Sequence, residues 1–166
     1  MSAIPNTAVE IREGTIADLP QILELIRELA RYEKMEHEVE NNVQMMELDG
    51  FGVRPVFGSF VAIIDGIIIG AAIYYFRYST WKGKRLYLED LIVHEPMRGK
   101  GIGKKLFERV MRKVIEDDFT GMMWQVLDWN SPAIEFYKTF STRFDPEWIN
   151  CHLESEQIKS YLNRKS

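Results

Sequence analysis

One cysteine and three histidines are what this 166-residue chain has least of. Cys151 stands alone, so no disulfide can form within the chain. That fits a reducing compartment, and a cytoplasmic location is expected. Neither His37 nor His94 belongs to a metal-ligand spacing, so no metal is expected and both read as ordinary polar residues. Long apolar runs are missing too. The longest, Gly66 to Phe76, falls well short of the ~20 residues a spanning helix needs. Met1 to Thr7 lacks the apolar core of a signal peptide, so neither a leader nor a membrane partner is expected. A net charge of −4 argues against nucleic acid as a partner and suits cationic ligands.

What is present is the composition of a soluble globular chain, because 46% hydrophobic residues suffice for one core without staples. No repeat, low-complexity run or linker interrupts it, so residues 1–166 are expected to form a single domain. Val9 to Arg12 alternates as a short strand. Thr15-Ile-Ala-Asp18 resembles a capping box with Asp in place of Glu. Ile22, Leu23, Leu25, Ile26 and Leu29 give the helix that follows its apolar face. A weaker helix is expected from Val39 to Leu48, ended by Gly50 and Gly52. Ser59 to Ile64 and Ile67 to Tyr78 are β-branched and aromatic runs joined by Asp65-Gly66, a two-residue hairpin signal. Leu86 to Val93 is the next strand and Ile102 to Ile115 a helix. Met122 to Leu127 reads as a strand, Ser131 to Phe140 as a short helix, Trp148 to Leu153 as a last strand, and Ser155 to Leu162 as a last helix. The expected class is α/β, with a mixed, mainly antiparallel central sheet flanked by helices.

The strand ending at Val93 runs into a basic, glycine-rich turn, and the turn opens an amphipathic helix. At a helix start, unpaired backbone N–H groups and the dipole favour an anion. Gly99, Gly101 and Gly103 let the backbone approach it, and Arg98, Lys100, Lys104 and Lys105 add positive charge. This is a phosphate cradle on a strand end. A Walker loop needs Gly-x4-Gly-Lys-[Ser/Thr], which is absent. A dinucleotide fingerprint needs Gly-x-Gly-x-x-Gly, whereas these glycines fall as Gly-x-Gly-x-Gly. The remaining pattern, Arg98-x-x-Gly101-x-Gly103, resembles the pyrophosphate-binding loop of the GCN5-related N-acetyltransferases (GNAT), which hold acetyl-CoA there.

A second segment strengthens the resemblance. Asn130, Ala133 and Tyr137 match the Asn-x-x-Ala-x-x-x-Tyr pattern that closes the cofactor site in that superfamily, with Asn130 as a helix cap and Pro132 near the first helical position. The resemblance implies that acetyl-CoA is held by three pieces. These are the strand end (Leu91, Ile92 and Val93), the loop Arg98, Gly99, Lys100 and Gly101, and the helix start Ile102, Gly103 and Lys104. It adds Asn130, with the Tyr137 hydroxyl as general acid for the leaving thiolate. The alternative is that Tyr137, with Phe136 and Phe140, is simply a core aromatic.

An amine attacks a thioester only when neutral. With an alkylammonium pKa near 10.4, on the order of one molecule in a thousand is neutral at pH 7, so a proton acceptor is needed. Glu89 and Asp90 precede the phosphate loop, but neighbours on a regular strand face opposite ways, so a bulge is required for both to serve one site. The superfamily commonly has one here. Glu89 is read as the base, through water, and Asp90 as an ammonium anchor, with their identities exchangeable. The bland alternative pairs one of them with a cation such as Arg85.

The match narrows further. Leu29-Ala-Arg-Tyr-Glu33, Tyr74-Tyr-Phe-Arg-Tyr-Ser-Thr-Trp-Lys-Gly83, Leu86-Tyr-Leu-Glu-Asp90 and Val126-Leu-Asp-Trp-Asn130 resemble the diamine (spermidine/spermine-type) acetyltransferase family, nearest its thialysine Nε-acetyltransferase branch. The resemblance implies acetyl transfer to a small primary amine by direct attack, usually in a homodimer. Tyr32, Glu33, Trp81, Glu89 and Asp90 would bind the amine. Ser79 and Thr80 replace the acidic residue that polyamine-preferring members tend to carry, which favours lysine-like or short diamine acceptors. After Tyr137 the usual Gly-Ala is missing, so the last third carries the least of the resemblance. Competing expectations are a peptide or protein acceptor, or a non-catalytic acyl-CoA-binding module.

Overall fold

β-Branched and aromatic residues dominate the middle of the chain, and there they pair. A computed structural model describes residues 8–164; Met1 to Thr7, searched above for a leader, lie outside the described residues. The sheet contains β1 (Glu10–Glu13), β2 (Gly58–Ile64), β3 (Ile67–Ser79), β4 (Gly83–Val93) and β5 (Met122–Met123), in that spatial order. The first four pair antiparallel and β5 joins β4 in parallel, which is the mixed, mainly antiparallel sheet expected. Asp65 and Gly66, both at positive φ (51° and 79°), turn β2 tightly into β3. The helices are α1 (Leu19–Tyr32), α2 (Val43–Phe51), α3 (Ile102–Glu116), α4 (Ser131–Lys138) and α5 (Ser155–Asn163). Two compact units result. One runs to Gln125 and holds the sheet with α1 to α3; the other starts at Val126 and holds α4 and α5.

In the first unit, alternation sends Val61, Ile63, Ala71 and Ile73 to one face of the sheet. There Leu19, Ile22, Leu23 and Leu25 of α1 and Met46 of α2 cover them. The opposite face carries α3. A Cβ on Gly70 would lie 2.9 Å from the Ile92 carbonyl oxygen and 3.0 Å from Leu106 Cδ1, so α3 comes down where a side chain is missing. The start of α1 is fixed by charge. Asp18 accepts from Arg12 Nη1 and Nη2 (2.6 and 3.0 Å), from the Thr15 N–H (2.7 Å) and from the Thr15 hydroxyl (2.9 Å). The Arg12 hydrogen bond holds its carboxyl down at about 2.

Several expected boundaries move, each for a local reason. α2 begins at Val43 rather than Val39 because Asn42 caps it, accepting from the Met45 N–H at 2.9 Å. Gly50 lies within α2 instead of ending it; a Cβ there would fall 2.6 Å from the ring of Phe57. β5 is two residues long, not six, because its ladder with β4 ends at Tyr87–Met123. Trp148 to Leu153 forms no strand. Alternation without a neighbouring strand makes none, and Trp148, Ile149 and Leu153 lie exposed, the indole N–H donating to Asp145 Oδ2 at 3.0 Å. In the second unit, Asn130 caps α4 as expected, accepting from the Ala133 N–H at 3.4 Å, with Pro132 in the first turn.

Candidate active site

β3 and β4 fall out of step by one residue. Ile73 pairs with Asp90 and Tyr74 with Leu88, leaving Glu89 as the extra residue of a β-bulge. The bulge breaks the alternation that would otherwise part Glu89 from Asp90. Asp90, opposite Ile73, lies on the α1 face of the sheet, and Glu33 stands at the C-cap of α1. Burial, then the charges of Glu89 and Glu33, push the Asp90 carboxyl up to about 7. Burial raises Glu89 and Glu33 as well. Among the described residues no cation relieves any of the three. Arg85 does not pair with them; its Nη2 donates to the Met122 carbonyl at 3.0 Å.

Two aromatic side chains that sequence reasoning missed complete this corner. Tyr75 and Tyr87 face each other across β3 and β4 and stack, with ring centroids 4.9 Å apart at 29°. Burial and the Glu89 charge raise both hydroxyls, Tyr87 to about 12, so Glu89 acts on the aromatic pair as well as on Asp90. Three uncompensated carboxylates beside stacked rings suit an alkylammonium, which gains charge from one and methylene or cation–π contact from the other. The register predicts that Tyr75 and Tyr87 share a face, but only once β3 and β4 are aligned.

The phosphate turn lies at the other end of the same strand segment. A 3₁₀ turn, Glu95–Met97, leads into Arg98, and Gly101 is the N-cap of α3. Gly99 and Gly101 have φ of 74° and 78°, which L side chains rarely adopt, and a Cβ on either would meet nothing within 4 Å. The turn is therefore open, and the first N–H groups of α3 have no intrahelical acceptor. Arg98 is held in place. Its Nε donates to the Val93 carbonyl at 2.9 Å, and its guanidinium lies 5.0 Å from the centroid of the Tyr32 ring. Lys100, Lys104 and Lys105 are exposed around it. These residues fit a pyrophosphate.

Glu28 on α1 is the second feature the sequence did not signal. Its Oε2 lies 2.8 Å from His94 Nδ1, its Oε1 accepts from the Glu95 N–H at 2.7 Å, and Arg98 Nη2 is 3.7 Å away. Burial pushes this carboxyl up, but the His94 and Glu95 hydrogen bonds outweigh it and hold the group below its usual value. His94 is thus a built contact rather than an ordinary polar residue. A partner 66 positions away cannot be found by spacing.

The expected site residues separate accordingly. Glu33, Glu89 and Asp90 come together. Tyr32, next to Glu33 in sequence, lies under Arg98 of the phosphate turn. Trp81, 86% exposed, sits at the β3–β4 hairpin tip, about 20 Å along the strands from the bulge, so within this chain it does not join the acids. Ile92 is 1% exposed and its side chain belongs to the core, leaving only its backbone to face a ligand. Leu91 and Val93 are half-buried. In the second unit Tyr137 is buried, its ring 5.2 Å from that of Phe136. No group of three His, Cys, Asp or Glu able to hold a metal occurs among the described residues.

Known proteins share this frame. Residues 19–141 match the model of the Acetyltransferase (GNAT) family. The chain is 37% identical to thialysine N-epsilon-acetyltransferase of Sus scrofa, over 95% of this chain and 99% of that one. Two solved structures share the fold. An integron cassette protein from the mobile metagenome of V. cholerae superposes with a TM-score of 0.76 at 21% identity, covering 95% of this chain and 99% of that one. The aminoglycoside N-acetyltransferase AAC(6')-Iy in complex with CoA does so at 0.71 and 18%, covering 92% and 99%. Fold, turn and sequence agree on a group-transfer enzyme. The chain belongs to the GNAT acetyltransferase family and is an N-acetyltransferase.

Asp90 gives a test whose sign is unusual. Its folded-state value, about 7, lies above the ordinary carboxylate value, so the folded chain holds the proton more tightly than the unfolded one. The stability penalty is absent below about pH 4, grows as pH rises to about 7, and is constant above. Asp90→Asn should therefore raise Tm by at least ~3 °C at pH 8, with the gain shrinking toward pH 4. A loss of stability at pH 8, or a pH-independent gain, would refute the strained carboxylate.

Proposed function

We propose that this enzyme transfers the acetyl group of acetyl-CoA to a primary amine of a small molecule, lysine-like (thialysine-type) or a short diamine. The observation that carries this is the bulge at Glu89. It sets an uncompensated carboxylate cluster a few residues before an open, basic helix start on the same strand. When bound, acetyl-CoA supplies an activated thioester. The N–H groups at Gly99 to Lys104, with Arg98 and Lys100, hold its pyrophosphate. Among the described residues, β4 from Leu88 to Val93 pairs with β3 but not with β5, and the backbone of Leu91, Ile92 and Val93 offers its other edge to the pantetheine arm. The family resemblance assigns Asn130 to the cofactor as well.

On the acceptor side, Glu33 and Glu89 attract the ammonium, and the stacked Tyr75 and Tyr87 line its methylenes. The proton is taken by the coupled Glu89–Asp90 pair. A value of about 7 supports Asp90 as the member that receives it, the exchange of roles that the sequence left open. The Tyr137 hydroxyl returns a proton to the leaving thiolate.

The family match over residues 19–141 crosses the boundary between the two units, which supports treating the chain as one domain. No described helix is long and apolar enough to cross a membrane, and Cys151 is free and exposed. The single cysteine supports a cytoplasmic location. A homodimer is supported by the exposed Trp148, Ile149 and Leu153 and by the exposed Ile158, Tyr161 and Leu162 along α5. Light scattering should give twice the 19.5 kDa chain mass; a monomer at micromolar concentration removes the dimer.

A thiol-release assay with acetyl-CoA, across thialysine, lysine, putrescine, spermidine and a peptide, tests the reaction. The highest kcat/KM is expected with thialysine or a short diamine. A preference for the peptide points to protein acetylation, and tight cofactor binding with no amine turnover leaves only a binding module. Tyr137→Phe should lower kcat at least ~10-fold with little change in acetyl-CoA KM. Unchanged turnover removes it as the acid.

A further inference from the structure

We infer that Glu28 is a positioning residue for the phosphate turn, acting through the backbone N–H of Glu95 rather than through its charge. This rests on reading the turn as the acetyl-CoA site. The two positive-φ glycines have no neighbour where a side chain would be, so packing does not hold the turn's middle. Its shape is set at its ends. The far end is Gly101, whose carbonyl accepts from the Lys105 N–H at 3.1 Å as α3 begins. The near end is the 3₁₀ turn, where the Met97 N–H reaches the His94 carbonyl at 2.8 Å and the Arg98 N–H reaches the Glu95 carbonyl at 3.1 Å.

That near turn has no side-chain cap of its own; the His94 side chain stands at its N-cap position without accepting from the turn's N–H groups. Glu28 supplies the cap from α1. One oxygen takes the otherwise free Glu95 N–H, and the other meets the His94 ring. The charge of Glu28 works against an anion, because it lies 3.7 Å from an Arg98 nitrogen and weakens that group's pull on phosphate. Which effect wins is decided by strength. An ion pair this exposed and this long contributes less than a short hydrogen bond from a backbone N–H to a carboxylate. Holding the turn outweighs the adverse charge.

Two substitutions separate reach from charge. Glu28→Asp keeps the charge but withdraws it by one methylene from the Glu95 N–H. Glu28→Gln keeps the reach and an acceptor oxygen but loses the charge. By isothermal titration with acetyl-CoA, E28D should raise Kd at least ~5-fold, while kcat at saturating cofactor stays within about twofold of wild type. E28Q should bind within about twofold of wild type. Wild-type binding by E28D, or weak binding by E28Q, overturns the positioning role. Failure of the wild-type chain itself to bind acetyl-CoA instead removes the reading of the turn.

Discussion

One residue without a partner in β3 sets the geometry of this protein. Because Tyr74 pairs with Leu88 and Ile73 with Asp90, Glu89 is squeezed out of the ladder and the strand changes phase. Before the bulge, β4 lies between two strands; past it, β4 keeps β3 but not β5. The same slip turns Asp90 toward α1, a few residues before the basic turn begins. On a regular strand the two neighbouring carboxylates would face opposite sides of the sheet.

The bulge creates a steep electrostatic contrast over a short piece of chain. At Glu33, Glu89 and Asp90 negative charge accumulates without a cation among the described residues to relieve it. A few positions later, Arg98, Lys100, Lys104 and the α3 N-terminus provide the opposite field. α1 serves both ends. Tyr32 lies under Arg98 and Glu28 holds the 3₁₀ turn, while Glu33, next in sequence, faces Asp90. The basic turn and the carboxylate cluster are thus both tied to one helix. Keeping three carboxylates together works against folding, and Asp90, with the largest upward shift, carries most of that strain.

Much of this was legible in the sequence, and what was not has identifiable causes. Asp65-Gly66 named its hairpin, and the apolar spacing from Ile102 named α3, because both signals are local. The need for a bulge followed from Glu89 and Asp90 being neighbours, although only the register located it. Glu28 stayed hidden because its partners lie 66 and 67 positions away, and Tyr75 and Tyr87 because their pairing depends on that same register. Trp148 to Leu153 misled for the converse reason: alternation describes a face, and a strand also needs an edge to join. Trp81 carried a family resemblance that the fold of a single chain does not bring to the acids.

The central claim is that the turn and the carboxylate cluster serve one reaction. A crystal structure with a coenzyme A–amine conjugate tests it most directly. The account predicts the pyrophosphate on the N–H groups of Gly99 to Lys104 and the amine beside Glu89 and Asp90, with the pantetheine along the β4 edge past Leu88. A conjugate whose pyrophosphate lies off the turn, or whose amine lies away from both carboxylates, would contradict it.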